Sequence, residues 1–126
     1  MNQLILIRGL PGSGKSTMAT KMVVEQGYVH FEADQYFVED GVYTFDYTRI
    51  KEAHMWCQVA TRAALTEGKL VVVSNTFTQR WELQPYLDMV HDLGVVVTIV
   101  IATGDYRNIH GVPEEVIQRM KDRWED

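Results

Sequence analysis

Apolar residues fall along this chain in two rhythms that alternate. Residues 4–7 (Leu-Ile-Leu-Ile), 70–73 (Leu-Val-Val-Val) and 95–102 are runs of apolar side chains, the last broken only by Thr98. Such runs suit strands of a parallel sheet covered on both faces. Residues 28–32 (Tyr-Val-His-Phe-Glu) alternate instead and are rich in β-formers, so they read as a further strand. Between the runs, apolar residues recur every three or four positions. Ala19, Met22 and Val23 mark a helix over 15–26, and Ile50, Ala53, Cys57, Ala60 and Ala64 one over about 47–67. Leu83, Tyr86, Leu87, Val90 and Leu93 mark a third from Thr78, and Val116, Ile117, Met120 and Trp124 a terminal one opened by Pro113. Gly27, Gly68 and Gly94 stand where helices stop, and Asp46 where one is capped. Pro85 is out of place unless it lies near a helix start or kinks the helix.

Strands at 3–8, 28–32, 69–74 and 95–102, with helices between them, predict an α/β fold with a short, mostly parallel four-stranded sheet flanked by helices on both faces. The 126 residues suffice for one domain, residues 1–126, small for its class. The first, third and fourth strands are expected to be buried.

Residues 9–17 read Gly-Leu-Pro-Gly-Ser-Gly-Lys-Ser-Thr and fit G-x-x-x-x-G-K-[ST], with Gly9, Gly14, Lys15 and Ser16 on the fixed positions. Glycines let the backbone turn tightly and aim successive N–H groups at a polyphosphate. A strand precedes this loop and a helix follows it, which places the phosphates at a helix N-terminus. The nucleotide-binding residues are therefore expected to be Gly9, Pro11, Gly12, Ser13, Gly14, Lys15, Ser16 and Thr17. Lys15 would reach the β- and γ-phosphates, and the Ser16 hydroxyl would bind Mg²⁺.

A net charge of −5 argues against broad binding along a nucleic-acid backbone, though not against a short basic cleft that grips one end. No apolar run is long enough to span a bilayer. The first strand begins at once, so no signal peptide is expected, and the one cysteine, Cys57, fits a reducing cytoplasm. A monomer or a homodimer is expected, the latter through apolar sheet edges.

Other residues extend the chemistry. Asp34 falls just past the second strand, on the side where open α/β sheets bind ligands. It is a candidate general base for an acceptor hydroxyl. The aromatic stretch 35–45, around an Asp40-Gly41 turn, is either a substrate-facing segment or a packed loop. His54 and Cys57 read as packed groups. The third strand ends in Ser74-Asn75, where many P-loop enzymes carry a magnesium-organising aspartate, and this moves the burden of negative charge to Asp34. Arg107 and Arg119 are candidates to clamp the transferring phosphoryl group; Arg80 either points toward the crevice or is solvated, and Arg123 either shares the clamp or pairs with Glu115 and solvent.

Residues 9–17, 31–37 (Phe-Glu-Ala-Asp-Gln-Tyr-Phe) and 53–57 (Ala-His-Met-Trp-Cys) resemble small P-loop kinases related to polynucleotide 5′-kinase and zeta toxin. The likeness is greatest to the P-loop domain of the Nedd-four-binding protein two group and its phage-borne relatives. Asn75-Thr76, Trp81-Glu82, Pro85-Tyr86 and residues 107–113 extend it over nearly the whole chain. The resemblance implies ATP and Mg²⁺ as cofactors and transfer of the γ-phosphate to a hydroxyl, either a polynucleotide 5′ end or a nucleoside-like acceptor. It implies that Asp34 is the acceptor-binding base and that Arg107 and Arg119 belong to a short lid. Ser74 and Phe77 depart from the family pattern. A small-metabolite kinase and a non-catalytic ATP-binding regulatory module are the alternatives.

Overall fold

The computed structural model describes residues 3–104 and 112–126. Its centre is a parallel sheet of β1 (Gln3–Arg8), β2 (Val29–Phe31), β5 (Leu70–Asn75) and β6 (Val96–Ile101), in the order β2-β5-β1-β6. A separate two-stranded hairpin, β3 (Val38–Glu39) and β4 (Val42–Tyr43), lies between β2 and the long helix. The helices are α1 (Lys15–Gln26), α2 (Ile50–Thr66), α3 (Arg80–Leu93) and α4 (Glu114–Asp122). Among the described residues no helix is long and apolar enough to cross a membrane.

The period-two geometry of a strand decides which residue serves which face. Leu4 and Leu6 of β1, with Val71 and Val73 of β5, pack against Cys57 and Leu65 of α2 and Tyr86 and Val90 of α3. Ile5 and Ile7, with Val72, pack on the other face against Ala19 of α1 and Tyr28. Burying each such aliphatic side chain contributes about 1.5–3 kcal/mol. In register, β1 runs beside β5 from Gln3–Leu70 to Arg8–Asn75, so both strands end at one level. The loops that leave them meet there and build the site.

Three expectations need correction. The fourth run does not form a buried strand: β6 is an edge, paired with β1 alone among the described strands, and Val96, Ile99 and Ile101 are 58%, 44% and 46% exposed. An apolar run reports β-propensity and cannot tell a central strand from an edge. Pro85 does not begin a helix after a separate first turn but lies inside α3, which runs unbroken from Arg80 and is secured by a reciprocal Gln79–Glu82 capping box. The helix after Asp46 also begins later than its pattern implied. Residues Tyr47–Arg49 form a 3-10 turn, with the Asp46 carboxylate accepting from the Thr48 N–H at 3.0 Å, before α2 proper.

Phe77 is held by packing. It is 1% exposed, its ring meets Tyr86 edge-on at 5.6 Å, and its φ of 46° turns its carbonyl toward the Arg8 Nε–H at 2.9 Å. A polar residue there would lose this apolar anchor.

Candidate active site

The loop after β1 is held from three sides. The Gly9 N–H donates to the Thr76 carbonyl (3.2 Å), the Ser13 N–H to the Leu10 carbonyl (3.0 Å), and the Gly104 N–H to the Ser13 carbonyl (3.0 Å). Gly9 is required by space: a Cβ there would lie 2.3 Å from Ser13 Oγ and 3.1 Å from the Ala102 carbonyl oxygen. Gly14 is required by conformation. It is the N-cap of α1 at φ 93°, in the left-handed region, and it offers no side chain to cap the helix. The first N–H groups of α1 at Lys15, Ser16 and Thr17 have no intrahelical acceptor by construction, and these three residues line the crevice. The Ser13 hydroxyl is buried without a hydrogen-bond partner among the described residues. Unspent donors on a left-handed glycine turn at a helix N-terminus fit an anion of phosphate type.

Lys15 Nζ donates to the Leu10 carbonyl across the loop (3.2 Å). Burial lowers its pKa, opposed by the carboxylates of Glu32 and Asp34. The Ser16 hydroxyl donates to Glu32 Oε2 at 3.2 Å, and the Ser74 hydroxyl donates to the same oxygen at 3.1 Å. His30 Nε2 lies 2.6 Å from Ser74 Oγ and 3.7 Å from Glu32 Oε2, and burial lowers its pKa. Among the described residues no group of three or more His, Cys, Asp or Glu side chains gathers to cage a metal. One hydroxyl and one carboxylate beside a phosphate cradle fit Mg²⁺, which keeps several waters and shares substrate oxygens. Ser16 and Glu32 would hold it, and its charge would neutralise phosphate oxygens.

The crevice continues past the loop as a cavity of about 780 Å³. Asp34 lines it from a 3-10 turn, Ala33–Phe37, that follows β2. That turn is fixed by Asn75 at the end of β5, whose Oδ1 accepts from the Ala33 N–H at 2.9 Å. The Tyr43 hydroxyl donates to Asp34 Oδ1 at 3.2 Å. Burial and the Asp34 carboxylate push the Tyr43 phenol up to about 12, so it remains a donor at neutral pH. Asp40 and Gly41 both have positive φ, the geometry of a tight two-residue hairpin turn, and this hairpin brings Tyr43 over the crevice.

The aromatic stretch therefore divides. Phe37 is buried and anchors the turn, while Tyr43 and Phe45 are 39% and 50% exposed and form a wall of the cavity with Tyr47 and Ile50. Val116, Met120 and Arg123 of the α4 segment line the same cavity.

The structure brings Pro11, Gly12, Gly14, Lys15, Ser16, Thr17 and Asp34 into one crevice. Gly9 and Ser13 lie within the loop fold, behind that surface. Arg119 is exposed on α4, its Nε–H directed at the Glu115 carbonyl (3.4 Å), and it does not line the cavity. Arg123 does, and its Nε–H donates to Thr78 Oγ1 at 3.2 Å. Arg107 lies outside the described residues. Arg80 is taken up with the C-terminal segment, its Nε–H donating to the Asp126 carbonyl at 2.8 Å. His54, read as packed, also borders the cavity and is partly buried, which lowers its pKa. The Cys57 thiol is buried as expected, its pKa raised by burial. Sequence reasoning missed Glu32 and the hydrogen bond of Tyr43 to Asp34, although the aromatic stretch that holds Tyr43 was a candidate substrate-facing segment. Glu32 had a signal, since it ends the strand that lies beside Ser74.

Comparison with known proteins agrees with this architecture. The family model AAA_33, an AAA domain, matches residues 4–111. Human NEDD4-binding protein 2 is 36% identical over 134 aligned positions, covering 97% of this chain and 8% of the relative, so the chain spans about a twelfth of that protein. A chain of the Pnkp1/Rnl/Hen1 RNA repair complex superimposes with a TM-score of 0.67 at 18% identity, covering 97% of this chain and 37% of the other. APS kinase CysC of Mycobacterium tuberculosis superimposes with a TM-score of 0.63 at 18% identity, covering 97% and 96%. The fold is thus that of P-loop kinases, and the chain belongs to the AAA_33 family of AAA domains.

Proposed function

We propose that this protein is an ATP- and Mg²⁺-dependent phosphotransferase that moves the γ-phosphate to an acceptor hydroxyl. The observation that carries the reading is a single crevice in which an anion cradle, with Lys15 and Ser16, opens into a cavity lined by Asp34. Phosphoryl transfer needs positioning and charge neutralisation more than covalent chemistry. The α1 N-terminus and Lys15 would hold the triphosphate. Asp34, oriented by Tyr43 and by the Asn75-tethered turn, would take the acceptor proton. Arg123, in the cavity wall, joins Arg107 as a candidate clamp for the charge that develops, whereas Arg119 would have to turn in from outside the cavity to share that role.

A nucleoside-like group, including a polynucleotide 5′ end, is the acceptor that best suits the Tyr43, Phe45 and Tyr47 wall, because aromatic faces stack on any base. The Pnkp1/Rnl/Hen1 likeness favours the same class. A small-metabolite acceptor is the second reading. Lys15 and Arg123 are the only cations among the described residues of the cavity wall, few for gripping a nucleic-acid backbone, and the net charge is −5.

The test is transfer from γ-labelled ATP to a panel of 5′-hydroxyl DNA, 5′-hydroxyl RNA, nucleosides and sugars. Label on a nucleic-acid or nucleoside acceptor, lost in Lys15→Ala, supports the first reading, and label on a sugar alone supports the second. ATP binding with no label on any acceptor contradicts both and points to a regulatory ATP-binding module.

A further inference from the structure

We propose that Glu32 is the carboxylate that organises the divalent cation, reached from the strand beside the one that usually supplies it, with Ser74 and His30 as its positioning residues. The inference rests on the nucleotide-binding reading of the loop and names the group that completes it. P-loop enzymes commonly hold Mg²⁺ between the loop hydroxyl and an acidic residue at a neighbouring strand end. In this chain that strand end carries Ser74, which has no charge to offer. The last paired residues of β2 and β5 are Phe31 and Val73, so one step further Glu32 runs alongside Ser74. Adjacent strands are about 4.8 Å apart. A glutamate, one methylene longer than aspartate, can cover part of that gap.

The hydrogen bonds have one consistent assignment. A carboxylate oxygen only accepts, so Ser16 and Ser74 both donate to Glu32 Oε2. Having spent its single proton, Ser74 Oγ accepts from His30 Nε2–H at 2.6 Å. A relay of His30, Ser74 and Glu32 thereby fixes one carboxylate oxygen against the loop hydroxyl. Ser16 donates its proton to that oxygen and keeps its lone pairs for a cation. Asp34 lines the same crevice with its Oδ1 engaged by Tyr43, which suits an acceptor-side role rather than a share in the cation site.

The experiment is a titration of Mn²⁺, read by electron paramagnetic resonance, into the full chain saturated with the β,γ-imido analogue of ATP. Nucleotide affinity without metal is measured in parallel. Glu32→Gln is expected to weaken Mn²⁺ binding about tenfold or more while metal-free nucleotide affinity does not fall, because the substitution removes a negative charge from beside the phosphates. The double variant Glu32→Ser with Ser74→Asp returns the carboxylate to the other strand and is expected to recover most of the Mn²⁺ affinity that Glu32→Ser alone loses. Unchanged Mn²⁺ affinity in Glu32→Gln overturns the proposal, as does a double variant no better than Glu32→Ser. Wild-type protein that binds no nucleotide overturns the reading of the loop itself.

Discussion

Gly9 and Asp34 show two different ways in which a single residue is committed. Gly9 has no room for a side chain, since a Cβ would press on Ser13 Oγ at 2.3 Å and on the Ala102 carbonyl oxygen at 3.1 Å. Gly9→Ala is therefore expected to displace the loop and weaken nucleotide binding at least about tenfold, a loss of ~1.4 kcal/mol, by isothermal titration. Affinity equal to wild type would show that the loop can yield. Asp34 is committed by its partners instead. Tyr43→Phe removes the hydrogen bond to Asp34 and keeps the ring, so it is expected to slow transfer several-fold, about 1 kcal/mol, without changing ATP affinity. An unchanged transfer rate would leave Tyr43 as wall and nothing more. At this scale the sequence was unevenly informative. A spacing of fixed residues announces the loop because the chemistry needs contiguous N–H groups. The relation of Glu32 to Ser74 spans two strands 42 positions apart and appears only once β2 and β5 are paired.

Among the elements, the contrast between β1 and β6 is the instructive one. Both are apolar runs, and both were read as buried. Leu6 is fully buried between β5 and β6, whereas Ile99, its register partner on β6, is 44% exposed at the sheet edge. Leu6→Ala is expected to cost about 2–5 kcal/mol in urea unfolding. Ile99→Lys should change stability by no more than about 0.5 kcal/mol, as for exposed positions. A large loss at Ile99 would mean that the edge is covered in solution. The alternation of strand and helix was legible because periods of 2 and 3.6 differ so clearly. Strand order was not, since it depends on which crossover packs where. The second face of each strand, and hence its burial, follows from that order.

For the molecule as a whole, the nucleotide end of the sheet is closed by the chain's own final turn. The Arg8 guanidinium, one residue before the loop, donates to the carbonyls of Phe77 and Glu125 and lies 4.5 Å from the centre of the Trp124 ring. It thus joins β1, the turn before α3 and the segment after α4 beneath the cavity wall. Arg8→Met should lower unfolding stability by about 1.5–3 kcal/mol, the size of a charge-assisted hydrogen bond, as read from the urea midpoint. An unmoved midpoint would make this junction ornamental. Family likeness anticipated a kinase-type α/β domain from residues such as the loop and 31–37, and the sheet of four parallel strands agrees with it. The cavity wall was harder to foresee, because Arg123 and Tyr43 are 80 positions apart in the chain.

The central claim is that the loop and Asp34 serve one reaction in one crevice. Its most direct test partitions label from γ-labelled ATP between acceptor and free phosphate in wild type and in Asp34→Asn, with ATP affinity measured alongside. The account predicts that transfer falls by about 10² to 10⁴ in the variant while ATP affinity stays within about threefold. Transfer that persists at the wild-type rate in Asp34→Asn would contradict it.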